Sequence, residues 1–281
     1  MITQQKNSIL EGNHGKPILT DVFYKKDGQP KPIVIFCHGY KGLKDWGAWD
    51  LVAQHFASKG FFFVKFNFSH NGTTPEQPLD FTDMDTFGAN NYSIELDDLQ
   101  TVIDWVTADD FLYKNQVNDN ISLIGHSRGG GIVTIKAAES TKISKVISWA
   151  GVSDYASRFP ADDALENWKK DGVMYVINGR TKQEMPHYFQ FYTNFKENEE
   201  RLTISRSAAS LKIPHLIIHG TTDPAVSHKE AEMLHQWSSR SALFLVPEAD
   251  HVFGGCHPWE DPHMPQYLKT IVEKSIQFIK L

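Results

Sequence analysis

Short apolar runs alternate along this chain with amphipathic segments, and the two patterns predict different elements. Seven runs rich in Val, Ile, Leu and Phe are typical of strands buried in a sheet. They cover residues 18–24, 33–37, 61–68, 121–124, 145–150, 215–219 and 243–246. Five segments with apolar residues at helical spacing predict helices over 48–58, 93–106, 132–139, 229–237 and 267–279, the second with Ser93 as its N-cap. This order of elements predicts an α/β fold with a doubly wound, mostly parallel sheet.

A long insertion interrupts the alternation of strands and helices. Residues 155–212 separate the fifth strand run from the sixth and are too long for a single crossover. Within them, segment 155–195 holds nine aromatic residues in 41 positions, or 22%, against 12% in the whole chain. We therefore expect a helical cap, inserted between the two parts of a core formed by residues 1–154 and 213–281. The aromatic rings have two possible uses, a small core of the cap and a pocket for an apolar substrate.

Composition and charge narrow the class of function. The chain has 281 residues, with 28 Lys and Arg against 34 Asp and Glu, and a formal net charge of −6. This balance argues against nucleic acid as a partner, because nucleic acid selects a basic face. Two cysteines cannot build a disulfide framework. No run approaches 18 apolar residues and no leader-like apolar segment opens the chain, so we expect no membrane insertion and a soluble, cytoplasmic protein.

A G-x-S-x-G element supplies the first candidate for chemistry. Residues 125–129 read GHSRG and stand between a predicted buried strand and a predicted helix. A serine hydroxyl is a weak nucleophile without a neighbouring base, and a sharp strand-to-helix turn exposes it to one. The turn also places Ser127 at a helix N-terminus, where free N–H groups favour developing negative charge. Neither a dinucleotide-binding glycine loop nor a Walker lysine pattern is present.

A nucleophilic serine needs a base and an acid that orients the base, and both follow the serine in chains of this type. Asp223 lies just past the strand run 215–219, at the edge where open α/β sheets build their sites. His251 lies in the loop after the last strand run. We therefore expect Ser127, Asp223 and His251 to act as nucleophile, acid and base.

Other carboxylates compete for the role of the acid. Asp154 follows the strand run 145–150 and is an alternative, and Glu248 is a weaker one. Asp250 is adjacent to His251, so its side chain should point elsewhere.

A second turn supplies a candidate oxyanion hole. His38, Gly39 and Tyr40 directly follow the buried strand run 33–37. Two backbone N–H groups aimed at a developing oxyanion stabilise the transition state of acyl transfer. We expect one from Tyr40 and the other from Arg128, the residue after the nucleophile.

Together these elements resemble the α/β-hydrolase fold family. The resemblance covers residues 18–280 outside the cap and rests on His38-Gly39-Tyr40, GHSRG around Ser127, His219-Gly220 with Asp223, and Asp250-His251. Within the family, the chain is most similar to bacterial serine esterases of the dienelactone hydrolase-like and acylaminoacyl-peptidase-like types. It is also similar to cinnamoyl and feruloyl esterases, which have a similar His-Gly-aromatic element and a cap between the same strands. Dienelactone hydrolases use a cysteine nucleophile, and Ser127 in its place argues against dienelactone chemistry.

The activity expected from these residues is hydrolysis of a small-molecule carboxylic ester through an acyl-enzyme intermediate. This chemistry needs no metal and no organic cofactor. Three alternatives stay open: a peptidase or amidase of the acylaminoacyl-peptidase type, a thioesterase, and a non-catalytic ligand-binding protein on the same fold. The sequence leaves the oligomeric state and the acyl and alcohol specificity open.

Three aromatic residues are candidates for contact with the substrate. Tyr188 and Phe191 lie in the aromatic-rich cap, and Trp46 follows the oxyanion element. Packing in a core is an equally good explanation for Trp46.

A metal site is indicated only weakly. Cys256, His257 and His263 are potential ligands, but their spacing lacks paired ligand motifs. The prediction is that the site holds no metal. Cys37, inside a predicted strand, is expected to be a buried core thiol.

Overall fold

The computed structural model describes all 281 residues, and an eight-stranded sheet runs through its centre. The ten strands of the chain are β1 (Ile2–Glu11), β2 (Pro17–Lys25), β3 (Lys31–Cys37), β4 (Phe62–Asn67), β5 (Val117–His126), β6 (Ile143–Trp149), β7 (Val173–Ile177), β8 (Glu184–Tyr188), β9 (His215–Gly220) and β10 (Ser241–Val246). The order in the large sheet is β1-β2-β4-β3-β5-β6-β9-β10. Strand β2 runs opposite to the other seven strands, which all point in the same direction. The prediction of a mostly parallel sheet is therefore confirmed.

The helices cover both faces of this sheet. They are α1 (Trp49–Ser58), α2 (Met84–Gly88), α3 (Tyr92–Thr107), α4 (Arg128–Glu139), α5 (Asp162–Asp171), α6 (Gln190–Glu197), α7 (Glu199–Leu202), α8 (Ile204–Ser210), α9 (His228–Trp237) and α10 (Gln266–Lys280). Alternate side chains of β3 enter different cores: Ile35 packs with α3 and α4, whereas Phe36 packs with α1 and α10. Strands buried on both faces read as continuous apolar runs, which is why the sequence reveals them. None of the helices combines the length and the apolarity needed to cross a bilayer.

Two local features differ from the sequence prediction. The N-cap of α3 is Asn91 rather than Ser93, because Asn91 is in extended conformation and its side chain accepts the N–H of Ile94 at 3.0 Å. Ser93 lies within the first turn and donates its hydroxyl to Asn194 at 2.8 Å. At the N-terminus, β1 lies at the edge of the sheet, where only β2 pairs with it. Its residues are mostly polar and partly exposed, so the sequence has no apolar run that would predict this strand.

The insertion between β6 and β9 contains more than helices. The strands β7 and β8 pair antiparallel, with Val173 opposite Tyr188 and Ile177 opposite Glu184. Helix α8 returns to the core, where Ile204 and Ala208 pack with residues of the main cluster. The insertion has helices, as the sequence predicts, and in addition a two-stranded ribbon that the sequence did not reveal. Such short strands alternate weakly in hydrophobicity and are hard to recognise from sequence.

Candidate active site

The turn from β5 to α4 holds Ser127 in a conformation that side chains rarely adopt. Its φ of 57° and ψ of −121° lie outside the regions favoured by L-residues. The turn is tight enough that a Cβ on Gly125 would lie 2.1 Å from the carbonyl oxygen of Gly129. The N–H of Ser127 donates to the carbonyl of Trp149 in β6 at 2.9 Å, which anchors the turn to the sheet. The serine side chain thus stands clear of the backbone at the N-terminus of α4.

Asp223 and His251 meet at the same edge of the sheet. The Nδ1 of His251 donates to Oδ2 of Asp223 at 2.7 Å, and that carboxylate is completely buried. Its other oxygen accepts the backbone N–H groups of Ala225 and Val226 at 2.8 and 2.9 Å. Burial alone would raise the pKa of Asp223, but these hydrogen bonds hold it well below its ordinary range. A charged carboxylate is therefore fixed against Nδ1, which leaves Nε2 as the free ring nitrogen of His251.

Two further histidines support this pair and were not assigned that role from the sequence. The Nε2 of His219 lies 3.1 Å from Oδ2 of Asp223 and 2.9 Å from the carbonyl oxygen of Val226. The Nε2 of His126 donates to the carbonyl oxygen of His251 at 2.8 Å. Burial, together with the neighbouring His251, lowers the pKa of His126 to about 3, so its ring is neutral near pH 7. Their positions in the sequence could have indicated this role, because His126 directly precedes Ser127 and His219 lies four residues before Asp223.

Ser127 and His251 line the same cavity, with no hydrogen bond between their side chains in this structure. Catalytic hydrogen bonds are often long in unliganded enzymes and tighten when substrate binds. The structure thus brings the three predicted residues to one site, with the acid and the base already in contact.

The competing carboxylates have other partners. The carboxylate of Asp154 accepts the N–H groups of Ala156 and Ser157 at 3.0 and 2.9 Å, at the start of a short 3-10 helix. Asp250 turns away from the cavity, as expected, and accepts the N–H of Gly254 at 2.7 Å. Glu248 is exposed and makes no contact with His251.

The loop after β3 lies directly against the nucleophile. A Cβ on Gly39 would lie 2.8 Å from the Cβ of Ser127 and 3.1 Å from the carbonyl oxygen of His126, so only glycine permits this approach. The N–H of Tyr40 donates to no acceptor in the protein. As the first residue of α4, Arg128 also has a backbone N–H without an intrahelical acceptor.

His38 stabilises this loop. Its Nδ1 donates to the carbonyl oxygen of Gly39 at 2.9 Å, and its Nε2 accepts the N–H of Phe68 at 3.4 Å. Burial lowers the pKa of His38 to about 4, which keeps the ring neutral and suited to both bonds near pH 7.

A cavity of about 480 Å³ opens between the edge of the sheet that bears Ser127 and His251 and the inserted segment. Its walls are mostly apolar and aromatic: Tyr40, Tyr92, Val152, Tyr155, Phe159, Met174, Val176, Phe191, Ala225 and Val226. The polar residues are Lys41, Ser127, Arg128, Arg158, His187 and His251. The volume and the few convergent polar groups are typical of a small-molecule site.

The three candidates for substrate contact have different positions. Phe191 lines the large cavity, and Trp46 lines a neighbouring one of about 130 Å³ that shares Ser127 and His251. Tyr188 does not line either cavity, because its hydroxyl donates to Asp85 at 2.8 Å on the outer side of the ribbon. The prediction for Tyr188 therefore needs correction. The preceding residue, His187, faces the cavity instead, as the alternation of side chains along β8 requires.

The potential metal ligands are not gathered in one place. His257 accepts the N–H of Gly47 through Nδ1 at 2.8 Å, while His263 is exposed and contacts Asp261. Neither residue joins Cys256 in a cluster of potential ligands.

Three carboxylates do come together elsewhere, those of Asp21, Asp45 and Asp50. Two buried ammonium groups already lie among them. Lys65 contacts all three carboxylates, at 2.9, 2.5 and 2.7 Å respectively, and Lys44 contacts the first two. Lys6 is the third cation, at 3.2 Å from Asp45 and 2.7 Å from Asp50. Three lysines therefore balance three carboxylates, and the network needs no metal ion for charge compensation.

Comparison with known proteins bears on the fold. A family model of the alpha/beta hydrolase fold matches residues 32–176, more than half of the chain. Est1E from Butyrivibrio proteoclasticus with bound ferulic acid is similar in structure, with a TM-score of 0.73 at 16% identity over 97% of this chain and 98% of that one. Dienelactone hydrolase from Anabaena variabilis has a TM-score of 0.62 at 15% identity over 99% and 97% of the two chains. Mouse alpha/beta hydrolase domain-containing protein 10 has a TM-score of 0.70 at 17% identity over 97% and 98%.

Among curated proteins, none matches the chain in sequence. The family model and the strand order nevertheless agree, and the chain belongs to the alpha/beta hydrolase fold family. The resemblance inferred from its motifs is thereby confirmed. Structural likeness at these low identities establishes the fold alone, so the reaction has to be argued from the site.

Proposed function

We propose that this protein is a serine hydrolase that cleaves carboxylic esters through an acyl-enzyme intermediate. The observation that carries the proposal is the buried Asp223–His251 pair, which borders the same cavity as a serine on a strained strand-to-helix turn. A pair of this kind has one purpose in acyl transfer, to accept and return the proton of the nucleophile.

In the first step, His251 Nε2 takes the Ser127 proton while Oγ attacks the ester carbonyl carbon. The negative charge of Asp223 stabilises the imidazolium that forms, and its hydrogen bond fixes the ring orientation. The carbonyl oxygen becomes an oxyanion, which the N–H groups of Tyr40 and Arg128 stabilise. His251 then returns the proton to the departing alcohol, and the acyl group stays on Ser127.

In the second step, water replaces the alcohol. His251 accepts a proton from the water as it attacks the acyl carbon, and the same N–H groups stabilise the second oxyanion. Collapse of this intermediate returns the proton to Ser127 Oγ and releases the acid. The two steps regenerate the free enzyme and use no cofactor.

The aromatic cavity supports an organic substrate with an apolar body. Rings of Tyr40, Tyr92 and Phe191 line it, and such walls favour aryl or medium-length acyl groups over acetyl groups. The similarity to Est1E, described with bound ferulic acid, is in line with an aromatic acyl group. We propose Phe191 and Trp46 as substrate contacts on the two sides of Ser127.

The test combines covalent labelling with turnover. A fluorophosphonate probe should label the wild type at Ser127, and p-nitrophenyl esters from acetyl to decanoyl, together with a ferulate ester, should be hydrolysed. Ser127→Ala should lose both properties, whereas Ser239→Ala, at an exposed serine, should keep both. Comparing hydrolysis of an ester with that of the matching anilide tests the peptidase alternative, and an acyl-CoA substrate tests the thioesterase alternative. An unlabelled wild type that leaves every ester intact would refute the proposal.

A further inference from the structure

The charged residues that line the large cavity all have the same sign. Lys41, Arg128 and Arg158 border it, and no Asp or Glu does. Burial and the Lys41 and Arg128 cations lower the pKa of His187 to about 3, so this fourth basic residue is neutral near pH 7. A cavity with basic residues and no acidic ones is notable in a chain whose net charge is −6.

Arg128 has most of its hydrogen-bonding capacity free. Only one of its five N–H groups makes a hydrogen bond, from Nη1 to Oε1 of buried Glu95 at 3.2 Å. The guanidinium lies over the rings of Tyr40, Tyr92 and Phe191, with centroid distances of 4.3, 5.2 and 5.4 Å. Stacking uses the face of a guanidinium and leaves its edge donors available. The aromatic contacts therefore hold Arg128 in the cavity wall without occupying the N–H groups that recognise an anion.

Lys41 has no anionic partner. No carboxylate lies within 4.0 Å of its ammonium group, which donates to the carbonyl oxygen of Ile177 at 3.3 Å and lies 4.9 Å from the centre of the Tyr40 ring. Arg158, in contrast, is paired with Glu230. Since Glu95 balances Arg128 and Glu230 balances Arg158, the positive charge of Lys41 is left uncompensated at the cavity.

We propose that the ester cleaved at Ser127 carries a carboxylate, which Arg128 and Lys41 bind while the aromatic walls hold the organic part of the molecule. This inference rests on the proposed function and specifies its substrate class. An anion would complete the hydrogen bonds of the guanidinium edge and neutralise the charge of Lys41. Interactions of this kind are stronger between apolar walls than in water, because little solvent screens them. The substrate is thus an acidic ester rather than a neutral one.

The first experiment compares esters that differ only in this charge. For an anion on the acyl side, p-nitrophenyl hemiglutarate is compared with p-nitrophenyl hexanoate, which has a similar length. For an anion on the alcohol side, 4-acetoxybenzoate is compared with its methyl ester. We expect kcat/KM to favour the acid in at least one pair by about tenfold or more. Equal or higher kcat/KM for the neutral ester in both pairs would overturn the inference.

Variants assign the preference to the two cations. Lys41→Gln should reduce the acid-to-neutral ratio of kcat/KM by about fivefold to tenfold. Because Arg128→Gln alone would leave the buried charge of Glu95 without a cation, the double variant Glu95→Gln/Arg128→Gln removes both charges together. This double variant should also reduce the acid-to-neutral ratio. Because the ratio compares two substrates of one variant, effects on catalysis that are common to both substrates cancel. Lys182→Gln, at an exposed lysine outside the cavity, should leave the ratio unchanged. An unchanged ratio in both cavity variants would contradict the assignment.

A binding experiment separates this inference from the proposed reaction. Ser127→Ala retains Lys41 and Arg128, and calorimetry on this variant measures ester binding without turnover. Tighter binding of the acidic ester supports the inference even when hydrolysis is slow, and equal or weaker binding overturns it. Failure of the esterase proposal has a different signature, namely no probe labelling and no hydrolysis of either member of a pair.

Discussion

At Ser127, a single residue combines backbone strain, a helix N-terminus and a neighbouring loop that approaches within van der Waals contact. The strained backbone of Ser127 is maintained because its N–H is hydrogen-bonded to Trp149 in β6 and because the surrounding glycines allow the turn to close. His126 is hydrogen-bonded to the backbone of His251, and His219 contacts the carboxylate of Asp223, so these two histidines position the proposed base and acid. The proposed chemistry therefore depends on side chains beyond Ser127, Asp223 and His251.

Replacing Asp223 by Asn should leave the fold intact and reduce kcat for ester hydrolysis on the order of 10⁴-fold. The amide can no longer stabilise the imidazolium of His251, and it favours the wrong tautomer of the ring. Steady-state kinetics with a p-nitrophenyl ester measure this loss. Asp154→Asn is the matched control and should leave kcat near the wild-type value, because the Asp154 carboxylate is bonded to the N–H groups of Ala156 and Ser157 and not to His251. The opposite ranking would identify Asp154 as the acid.

Replacing Gly39 by Ala should reduce kcat by about 10²-fold, comparable with loss of an oxyanion-hole donor. The new methyl group would stand 2.8 Å from the Cβ of Ser127 and force the loop with the Tyr40 N–H away from the nucleophile. Kinetics and thermal unfolding are measured together, because the melting temperature should change far less than the activity. Gly179→Ala, where a Cβ meets no atom within 4 Å, is the control and should be near wild type. Full activity of Gly39→Ala would argue against an oxyanion role for this loop.

At the scale of elements, buried ion pairs connect the loop after β3 to the neighbouring strands. Lys44 and Asp45 belong to the loop, Asp21 to β2 and Lys65 to β4. Lys65 also donates to the carbonyl oxygen of Lys44 at 2.9 Å. Removing one member of a buried pair leaves an uncompensated charge, so the network is sensitive to single substitutions. These ion pairs thus fix the loop that we propose to bind the oxyanion to the neighbouring strands.

The substitution Asp45→Asn should cost about 3 kcal/mol of unfolding free energy at neutral pH. Burial opposes ionisation of Asp45, but Lys65 and Lys44 hold its pKa well below its ordinary value of 3.8. A carboxylate whose pKa is depressed by folding stabilises the protein above the ordinary value, and this contribution is lost as pH falls. The difference between wild type and variant should therefore be largest above pH 5 and shrink towards pH 2. Urea unfolding across this range measures it.

A matched control for this titration is Glu166→Gln, at an exposed carboxylate without an ion pair. Its effect on the unfolding free energy should stay below about 0.5 kcal/mol and change little between pH 6 and pH 2. A difference for Asp45→Asn that is independent of pH would show that the carboxylate does not stabilise the fold through its charge.

At the scale of the whole molecule, a rigid sheet with two cores supports a cavity whose outer wall comes from the insertion. Several hydrogen bonds join this wall to the core, among them Gln183 to the carbonyl oxygen of Phe81 at 3.0 Å and Tyr188 to Asp85 at 2.8 Å. The Tyr40 hydroxyl is also hydrogen-bonded to Nε2 of His187 at 2.6 Å, and within the insertion Trp168 donates to the carbonyl oxygen of the same histidine at 2.7 Å. On the outer face of the ribbon, Tyr175 and Ile177 are exposed. The ribbon therefore has much less buried apolar surface than the central strands.

Amide hydrogen exchange should reflect this difference. Protection depends on the free energy of opening, which is low for elements with few buried contacts and approaches the global value in core strands. We expect the amides of β7 and β8 to exchange at least tenfold faster than those of β5, and a bound inhibitor to slow exchange in the ribbon. Mass-spectrometric exchange on the intact protein tests this. Equal protection in the ribbon and β5 would show that the insertion opens only with the whole fold.

The apolar runs along the chain determined the parallel strands, since a strand buried on both faces leaves a continuous signal in the sequence. The element around Ser127 likewise indicated its strand-to-helix turn, because only small residues at fixed spacing allow it. Edge strand β1, the N-cap Asn91 and the ribbon β7–β8 required the structure, since pairing and local hydrogen bonds decide them. Tertiary structure alone brought Asp223 to His251, turned Tyr188 outward and His187 inward, and placed Lys41 and Arg128 beside the same cavity. These contacts join residues far apart in the chain, and the three-dimensional packing of the elements, rather than any local pattern, creates them.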